Sequence, residues 1–325
     1  MTFTPNLSKK QWIGIATEAT PGTLAATPTV YLPTKAEFKN KKKRTYFVEE
    51  RNTRDVNNAV SDGGRWNEGS LKGTFYTDSS TAVLLAFMGT DTPTQPNAAS
   101  DPTVWQHALA LSDLPSTLSF WKAYHNIVYT MAYNVVEKFD LSWQSGDSDK
   151  GVLFDATTKG LPFVKITSGI PSPTYTTVQP LPGWSPTIQI NGVASNDIDE
   201  VKISASQKWA LWYPSNGSPQ WTDAYPGDRE MSIDFTARFD TDTLYQNFAV
   251  ATGVDVAMVF TFTGALISGT YNESLVLTVP IVGFDEMDHD DSKENITIKA
   301  KCKARPGTAI NSLFSAQVIN TIASY

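Results

Sequence analysis

Alternating apolar and polar positions mark two stretches of the chain as strands with one buried face. The apolar positions are Leu71, Gly73 and Phe75 in the first stretch and Ile233, Phe235, Ala237 and Phe239 in the second. Polar residues stand between them, and a period of two places every second side chain on the same face of a sheet. Each stretch therefore predicts a strand packed on a core.

A short helix is predicted directly after each of these strands. The segments are TDSSTAVLLAFMGT at 77–90 and DTDTLYQNFAVATG at 240–253. Asp78 and Asp240 stand where a side-chain oxygen can cap the first free amides of a helix. Gly89 and Gly253 stand where a left-handed residue ends one.

The two stretches align as an internal repeat. At an offset of 162, five of fourteen positions are identical, where chance gives about one. The identical pairs are Glu68 and Glu230, Ser70 and Ser232, Thr74 and Thr236, Asp78 and Asp240, and Thr81 and Thr243. Residues 147–156 match residues 291–300 at an offset of 144. The change of offset predicts that the second copy lacks about 18 residues between its helix and its late strand, a loss that a surface loop can absorb.

A proline-rich segment separates the two copies. Residues 168–186 contain five prolines, which oppose ladder pairing and hold the backbone extended. We therefore predict a first β module at residues 1–167, a linker at 168–186 and a second β module at 187–325. The expected fold is mainly β, with two tandem sandwich or barrel modules that each carry one short helix.

Two long polar segments, residues 39–68 and 205–229, lie between an early strand and the repeated strand of each copy. Hairpin connections are normally much shorter, so segments of this length indicate function or disorder. We expect both to be loops that are mobile in the isolated chain and become ordered against a partner.

The composition supports a β-rich fold and limits the possible functions. Apolar residues make up 41% of the chain and charged residues only 18%, with 20 Gly and 19 Pro. The net charge of −7 opposes a role in gripping nucleic acid. No apolar run has the length of a secretory signal or a membrane helix, so a soluble, cytoplasmically made product is expected. Cys302 has no partner for an internal disulfide and is expected to be structural.

No catalytic, metal or cofactor site is predicted. His107, His125 and His289 are far apart in the chain, with no carboxylate or cysteine at a metal-binding spacing. Residues 285–294 are strongly acidic but lack the register of a calcium loop, which favours a solvated turn between strands. We expect no cofactor and no enzymatic activity.

Charged and aromatic residues are the candidate interface residues. The basic run at 39–44 is by default a solvated loop, but the basic segment of one subunit could meet the acidic turn of the next. The loop tryptophans suit either a sugar-stacking platform or, better, a contact between identical subunits. The candidates are Lys39, Lys41, Lys42, Lys43, Arg44, Trp66, Trp209, Trp212, Trp221, Asp288, Asp290 and Asp291.

Three segments, in order along the chain, resemble the tail tube proteins of long-tailed, non-contractile bacteriophages. The first, IGIATEATPGTLAATPTVYLPTKAEF at 13–38, has a G-x-x-x-E-x-x-x-G-T-x-A pattern before a V-x-L-P strand. The second, GSLKGTFYTDSSTAVLLAFMG, is similar to a strand and short helix of that family. The third, PGTAINSLFSAQVINTIASY, is similar to its C-terminal strand.

The resemblance implies a structural protein of the virion tail, assembled in the cytoplasm of the bacterial host. Its copies would join side by side into rings that stack around a channel for DNA. Two modules in one chain predict trimeric, pseudo-hexameric rings, with hexamers as the alternative. The implied partners are further copies of the chain, a tape measure protein, and the tail terminator and distal tail proteins, with DNA in transient passage and no membrane. The competing interpretation is a monomeric carbohydrate-binding or adhesive β-sandwich protein.

Overall fold

Strands dominate the fold, as the sequence predicts. The computed structural model describes residues 10–48, 57–146, 150–239, 245–246, 248, 255–291, 295–307 and 312–325. The N-terminal set comprises β1 (Gln11–Thr17), β2 (Val30–Leu32), β3 (Lys35–Val48), β4 (Asn57–Thr74), α1 (Thr81–Met88), β5 (Gly89–Thr94), β6 (Trp105–Leu111), β7 (Leu118–Tyr124), β8 (Ile127–Gln144), β9 (Leu153–Gly160) and β10 (Val164–Ile166). The C-terminal set comprises β11 (Thr187–Ile190), β12 (Val193–Ser195), β13 (Ile198–Trp212), β14 (Asp223–Arg238), β15 (Val256–Ser268), β16 (Tyr271–Asp290), β17 (Thr297–Arg305) and β18 (Ser315–Asn320).

The same order of antiparallel strands occurs in both sets. In the N-terminal set the order is β2–β1–β7–β8–β9–β4–β3. In the C-terminal set it is β12–β11–β15–β16–β17–β14–β13. The short strands β10 and β18 occupy matching edges, on the first halves of β8 and β16. The repeat found in the sequence is therefore also a repeat of sheet connectivity.

Matching hydrogen bonds and bulges fix which residues of the two sets are equivalent. The Phe75 amide bonds to the Val152 carbonyl at 2.7 Å, and the Phe239 amide bonds to the Ile296 carbonyl at 3.1 Å. The offset is therefore 164 for the early strand (239 − 75) and 144 for the late strand (296 − 152). The late offset predicted from the sequence is confirmed, and the early offset of 162 is wrong by two residues. Because two residues is one period of a strand, the error left the buried face unchanged.

An inserted hairpin accounts for the difference in length between the two sets. Strands β5 and β6 pair with each other between α1 and β7, in the region where the sequence predicts a deletion in the second copy. Among the described residues, no strand lies between Phe248 and β15. β6 also pairs with β18, so the inserted hairpin of the first set lies against the last strand of the second.

Helix α1 is buried along its whole length. All eight of its residues are shielded from solvent, as expected for a helix that is apolar on every side. Gly89 ends it with a φ of 98°, as predicted, but the N-cap residue is Ser80 rather than Asp78 and makes no side-chain capping bond. The predicted cap and terminator of the second helix, Asp240 and Gly253, lie outside the described residues. No helix in the described part of the chain has the length and apolar character needed to cross a membrane.

The proline-rich segment at 168–186 contains no helix or strand. It nevertheless contacts the N-terminal set through Leu181, which is fully buried. The Leu181 amide bonds to the Phe75 carbonyl at 3.2 Å, and the Leu181 carbonyl accepts from the Val152 amide at 2.9 Å. The connection is therefore hydrogen-bonded to the residue after β4 and to the residue before β9.

A buried carboxylate, Glu18, holds the first turn of the chain in place. One of its oxygens accepts from the Gly22 amide at 2.8 Å and the Thr117 hydroxyl at 2.7 Å. The other accepts from the Ser119 hydroxyl at 2.8 Å and the Tyr133 amide at 2.7 Å. Gly22 has a φ of 82°, and an added Cβ there would lie 2.9 Å from the Tyr133 ring. The glutamate and second glycine of the G-x-x-x-E-x-x-x-G pattern thus have a structural role.

We predict that Glu18→Ala destabilises the chain by on the order of 3 kcal/mol, because the buried donors around the carboxylate lose their acceptor. The midpoint of urea unfolding measures this effect. Glu37→Ala is the matched control, since Glu37 is exposed and its side chain contacts Lys35. Equal midpoints for the two variants would contradict the structural role of Glu18.

A second buried carboxylate, Glu273 of β16, lies where the two sets meet. It accepts a hydrogen bond from the Thr77 hydroxyl, just before α1. The carbonyl of Thr77 in turn accepts from the Asn320 amide group at 2.7 Å and the Tyr325 hydroxyl at 3.0 Å. Burial, with a smaller contribution from the nearby Asp78 carboxylate, raises the pKa of Glu273 to about 7. The entry to α1 is therefore held by the far end of the chain.

We predict that Glu273 makes the chain less stable as the pH rises from about 4.5 to about 7. In this window the folded chain binds a proton that the unfolded chain has lost, so ionisation opposes folding. Glu273→Gln should therefore be more stable than the parent above pH 7, with the difference shrinking towards pH 4.5. Urea midpoints measured across this range test the prediction, and a difference that does not vary with pH would overturn it.

Candidate assembly surfaces

The two long polar segments are hairpin arms, not loops. We define the first arm as residues 40–48 with 57–67 and the second as residues 207–231. Within the first arm, pairing continues from Asn40 with Asn67 to Val48 with Asn57. In the second it continues from Gln207 with Arg229 to Trp212 with Asp223. In the first arm the prediction of loops was wrong because an exposed hairpin is stabilised by its backbone ladder and leaves no apolar alternation to detect. In the second arm Trp209 and Leu211 do alternate with exposed residues, and the length of the segment outweighed this strand signal.

The cations of the first arm are largely paired with carboxylates of the same arm. Asp62 contacts Lys42 at 3.2 Å, Arg44 at 2.8 Å and Arg65 at 3.6 Å. The hydrogen bond from Arg44 holds the pKa of Asp62 below its usual value. Lys41 lies 3.6 Å from Glu68, and Lys39 and Lys43 are exposed on β3. The basic run is thus a strand with internal charge pairing rather than a uniform phosphate-binding patch.

The four candidate tryptophans do not form one exposed platform. Trp221 is only 2% exposed and packs on Tyr133 with a ring separation of 4.4 Å. Trp209 is half-buried and donates to the Val136 carbonyl at 3.1 Å, and Trp66 packs against the same cluster and donates to Glu68 at 2.9 Å. Trp212, at 57%, is the one that is largely exposed. This distribution does not favour a sugar-stacking site.

The two arms meet along a cleft of about 800 Å³. The Arg65 amide donates to the Pro219 carbonyl at 2.8 Å. Arg65 and Gln220 also form an isolated parallel β-bridge. Leu211 and Tyr213 of the second arm face Gly64 and Trp66 of the first across the cleft. The arms are therefore held together as one feature of the surface.

The acidic run is the end of a strand rather than a turn. Asp288 and Asp290 lie in β16, and Asp291 follows directly after it. The lysines of β17 lie alongside, with Lys299 at 2.6 Å from Asp290 and Lys301 at 2.6 Å from Glu286. The sequence predicted a turn because residues 285–294 are strongly acidic and the lysines that neutralise them come later in the chain. Residues 292–294 lie outside the described residues.

Cys302 and His107 both have structural surroundings. Cys302 is buried in β17, and burial raises the pKa of its thiol to about 12, so it is not a reactive thiolate. His107 is fully buried between Asp91 and the Ile322 carbonyl, each at 2.8 Å, which is a structural arrangement. Within the described ranges, no three His, Cys, Asp or Glu side chains come together as metal ligands.

Several strand edges lack a strand partner among the described residues, and those of β3 and of the end of β16 are two of them. β3 pairs on one side with β4, and no described strand lies along its other side. The last part of β16, Glu286–Asp290, pairs on one side with β17 and likewise has an open second edge. An open edge presents unpaired amides and carbonyls that can extend a sheet into another chain. These edges, the arms and the acidic strand form the candidate assembly surface.

We predict that Trp221→Ala costs about 3–5 kcal/mol of folding stability, because it empties a packed site against Tyr133. Trp212→Ala, on the same arm but exposed, should change stability little. Urea unfolding of the two variants measures the difference. Similar losses for both would mean that Trp221 does not anchor the second arm.

Comparison with known protein families identifies the kind of protein to which this surface belongs. Residues 9–302 match the family model described as phage tail tube protein, which is more than half of the chain. A search of curated proteins found no significant match. The match spans the N-terminal set of strands, both arms and the C-terminal set as far as Cys302 in β17. The chain therefore belongs to the phage tail tube protein family.

Proposed function

We propose that this structural tail protein assembles side by side into rings, and that the rings stack into a tube through which DNA passes. The proposal rests on the strand order, which is the same in both sets. In each set the last two strands of the sheet extend into a long hairpin arm. A chain with two equivalent units supplies two positions of a ring, so three chains would make a closed ring with six similar positions. Family membership supports the tail tube role itself.

The division of the chain follows from the same observation. We assign residues 1–167 to a first tube module, 168–186 to the connection and 187–325 to a second module. The equivalent bulges in the two arms support this division, because they show that the likeness extends into the arms. Within a stack, the arms are the features best placed to reach a neighbouring ring.

The charge of the chain suits passage of DNA. A net charge of −7 and the pairing of Lys42, Arg44 and Arg65 with Asp62 weaken the attraction of the chain for phosphate. DNA bound through few cations releases few counterions and is held weakly. The proposed partners of the tube are a tape measure protein and the tail terminator and distal tail proteins.

The test of the proposal is assembly of the purified chain. We expect ring or tube particles by electron microscopy, with a mass corresponding to three chains per ring and six similar lobes in projection. Sedimentation measured over a range of concentrations should show this assembly directly. Chains that remain monomeric at every concentration, alone and with a tail-completion protein, would overturn the proposal, and rings of six chains would overturn its trimeric form.

A further inference from the structure

The chain contains an internal junction at which one set of strands extends the sheet of the other. Residues Lys138–Gln144 of β8 pair antiparallel with Glu200–Ser206 of β13. Leu141 lies opposite Ile203, and the Ser204 hydroxyl donates to Asp140 at 2.6 Å. Beyond the ladder, Gln207 and Trp209 each donate to the Val136 carbonyl at 3.1 Å.

Both strands of this junction have counterparts in the other set. The arm bulges align Lys42 with Gln207 and Arg44 with Trp209, so β3 corresponds to β13 at an offset of 165 (207 − 42). The bulge of β8 after Val136 corresponds to the bulge of β16 after Phe284, at an offset of 148 (284 − 136). The counterpart of the β8–β13 junction would therefore join β16 to β3.

Within one chain, β16 and β3 do not pair with each other. Each keeps its first neighbour, β17 for β16 and β4 for β3. Each lacks, among the described residues, a strand on the edge that β8 and β13 use for their junction. The two open edges are thus the two halves of a missing second junction.

We propose that the end of β16 in one copy of this chain pairs antiparallel with β3 of the next copy, in the register of the internal junction. The inference rests on the proposed assembly and names its side-by-side contact. Asp288 of β16 is the counterpart of Asp140, and Lys39 of β3 is the counterpart of Ser204. Because Asp140 and Ser204 lie opposite each other, the two offsets place Asp288 opposite Lys39. They also place Glu286 opposite Lys41, the counterparts of Lys138 and Ser206.

The charges of the two edges are complementary in this register. Opposite charges directly across a ladder stabilise pairing, and two facing pairs join an acidic with a basic residue. Glu286 and Lys41 already have partners within the chain, Lys301 and Glu68, so the Asp288–Lys39 pair supplies most of this complementarity. The third pair, Asp290 opposite Glu37, has like charges. Each of these carboxylates has its own lysine, Lys299 at 2.6 Å and Lys35 at 2.8 Å, which offsets the repulsion.

The core-facing side of the proposed junction accounts for the exposure of His289 in the single chain. His289 is exposed, although its ring packs on Phe239 and Tyr245 with centroid separations of 4.7 Å. Its counterpart Leu141 is 2% exposed and lies opposite Ile203 across the internal junction. In the proposed pairing His289 lies opposite Phe38, so the neighbouring chain would cover it as β13 covers Leu141.

Cysteine cross-linking tests the register. In a Cys302→Ala background, one chain carries Asp288→Cys and a second carries Lys39→Cys. Directly opposite residues in a ladder have the spacing that a disulfide requires, so mixing the two chains and oxidising them should give a covalent dimer. Lys35→Cys replaces Lys39→Cys in the control, because it lies four residues, or about 13 Å, along the same strand. The control pair should not cross-link.

Charge exchange provides an independent measurement. Lys39→Glu alone and Asp288→Lys alone should each weaken ring formation, most strongly at low salt, and the double variant should restore it. Rings that form without the Asp288–Lys39 cross-link, or that form the Lys35 cross-link instead, would overturn the junction and leave the proposed function standing. Parent chains that never assemble would overturn both.

Discussion

Seven residues at the end of β8, Lys138–Gln144, pair with Glu200–Ser206 of β13, and this ladder makes two sets of strands continuous. A strand edge in water must be paired, covered or blunted, because its free amides and carbonyls attract other strands. β8 and β13 satisfy each other, whereas the equivalent edges of β16 and β3 have no strand partner among the described residues. In the proposed assembly, the pairing that joins β8 to β13 within a chain is repeated between chains by β16 and β3.

The core and the interior polar contacts hold the two sets in a fixed relation. The buried contact of Thr77 with Glu273, Asn320 and Tyr325 joins the start of α1 to the end of the chain. The pairing of β6 with β18 adds a second connection. Because of these contacts, the open edges of β3 and β16 keep a constant orientation. Closed rings form only when successive contacts repeat the same rotation, so such rigidity favours closure over open filaments.

Local patterns in the sequence were sufficient to predict the strands of the core and the repeat. The alternation around Leu71 and Ile233 depends only on near neighbours, and Gly89 ends α1 as its position in the pattern indicates. The first arm was not predicted as strands because it is charged on both faces. The acidic strand was not predicted because the lysines that pair with it come later in the chain. Trp221 is buried by Tyr133, a residue distant in sequence, and no local signal indicates that contact. The predicted N-cap residue of α1, Asp78, was wrong, because Ser80 is a residue type equally suited to that position.

The β5–β6 hairpin occurs once per chain, next to α1, and lies on β18 of the other set. In a ring of three chains this hairpin would therefore recur every 120°, between positions that lack it. The hairpin would give such a ring true threefold symmetry even though the strand order around it is nearly sixfold. A protein that recognises the hairpin would dock at three places per ring, whereas one that recognises the shared strand framework could dock at six.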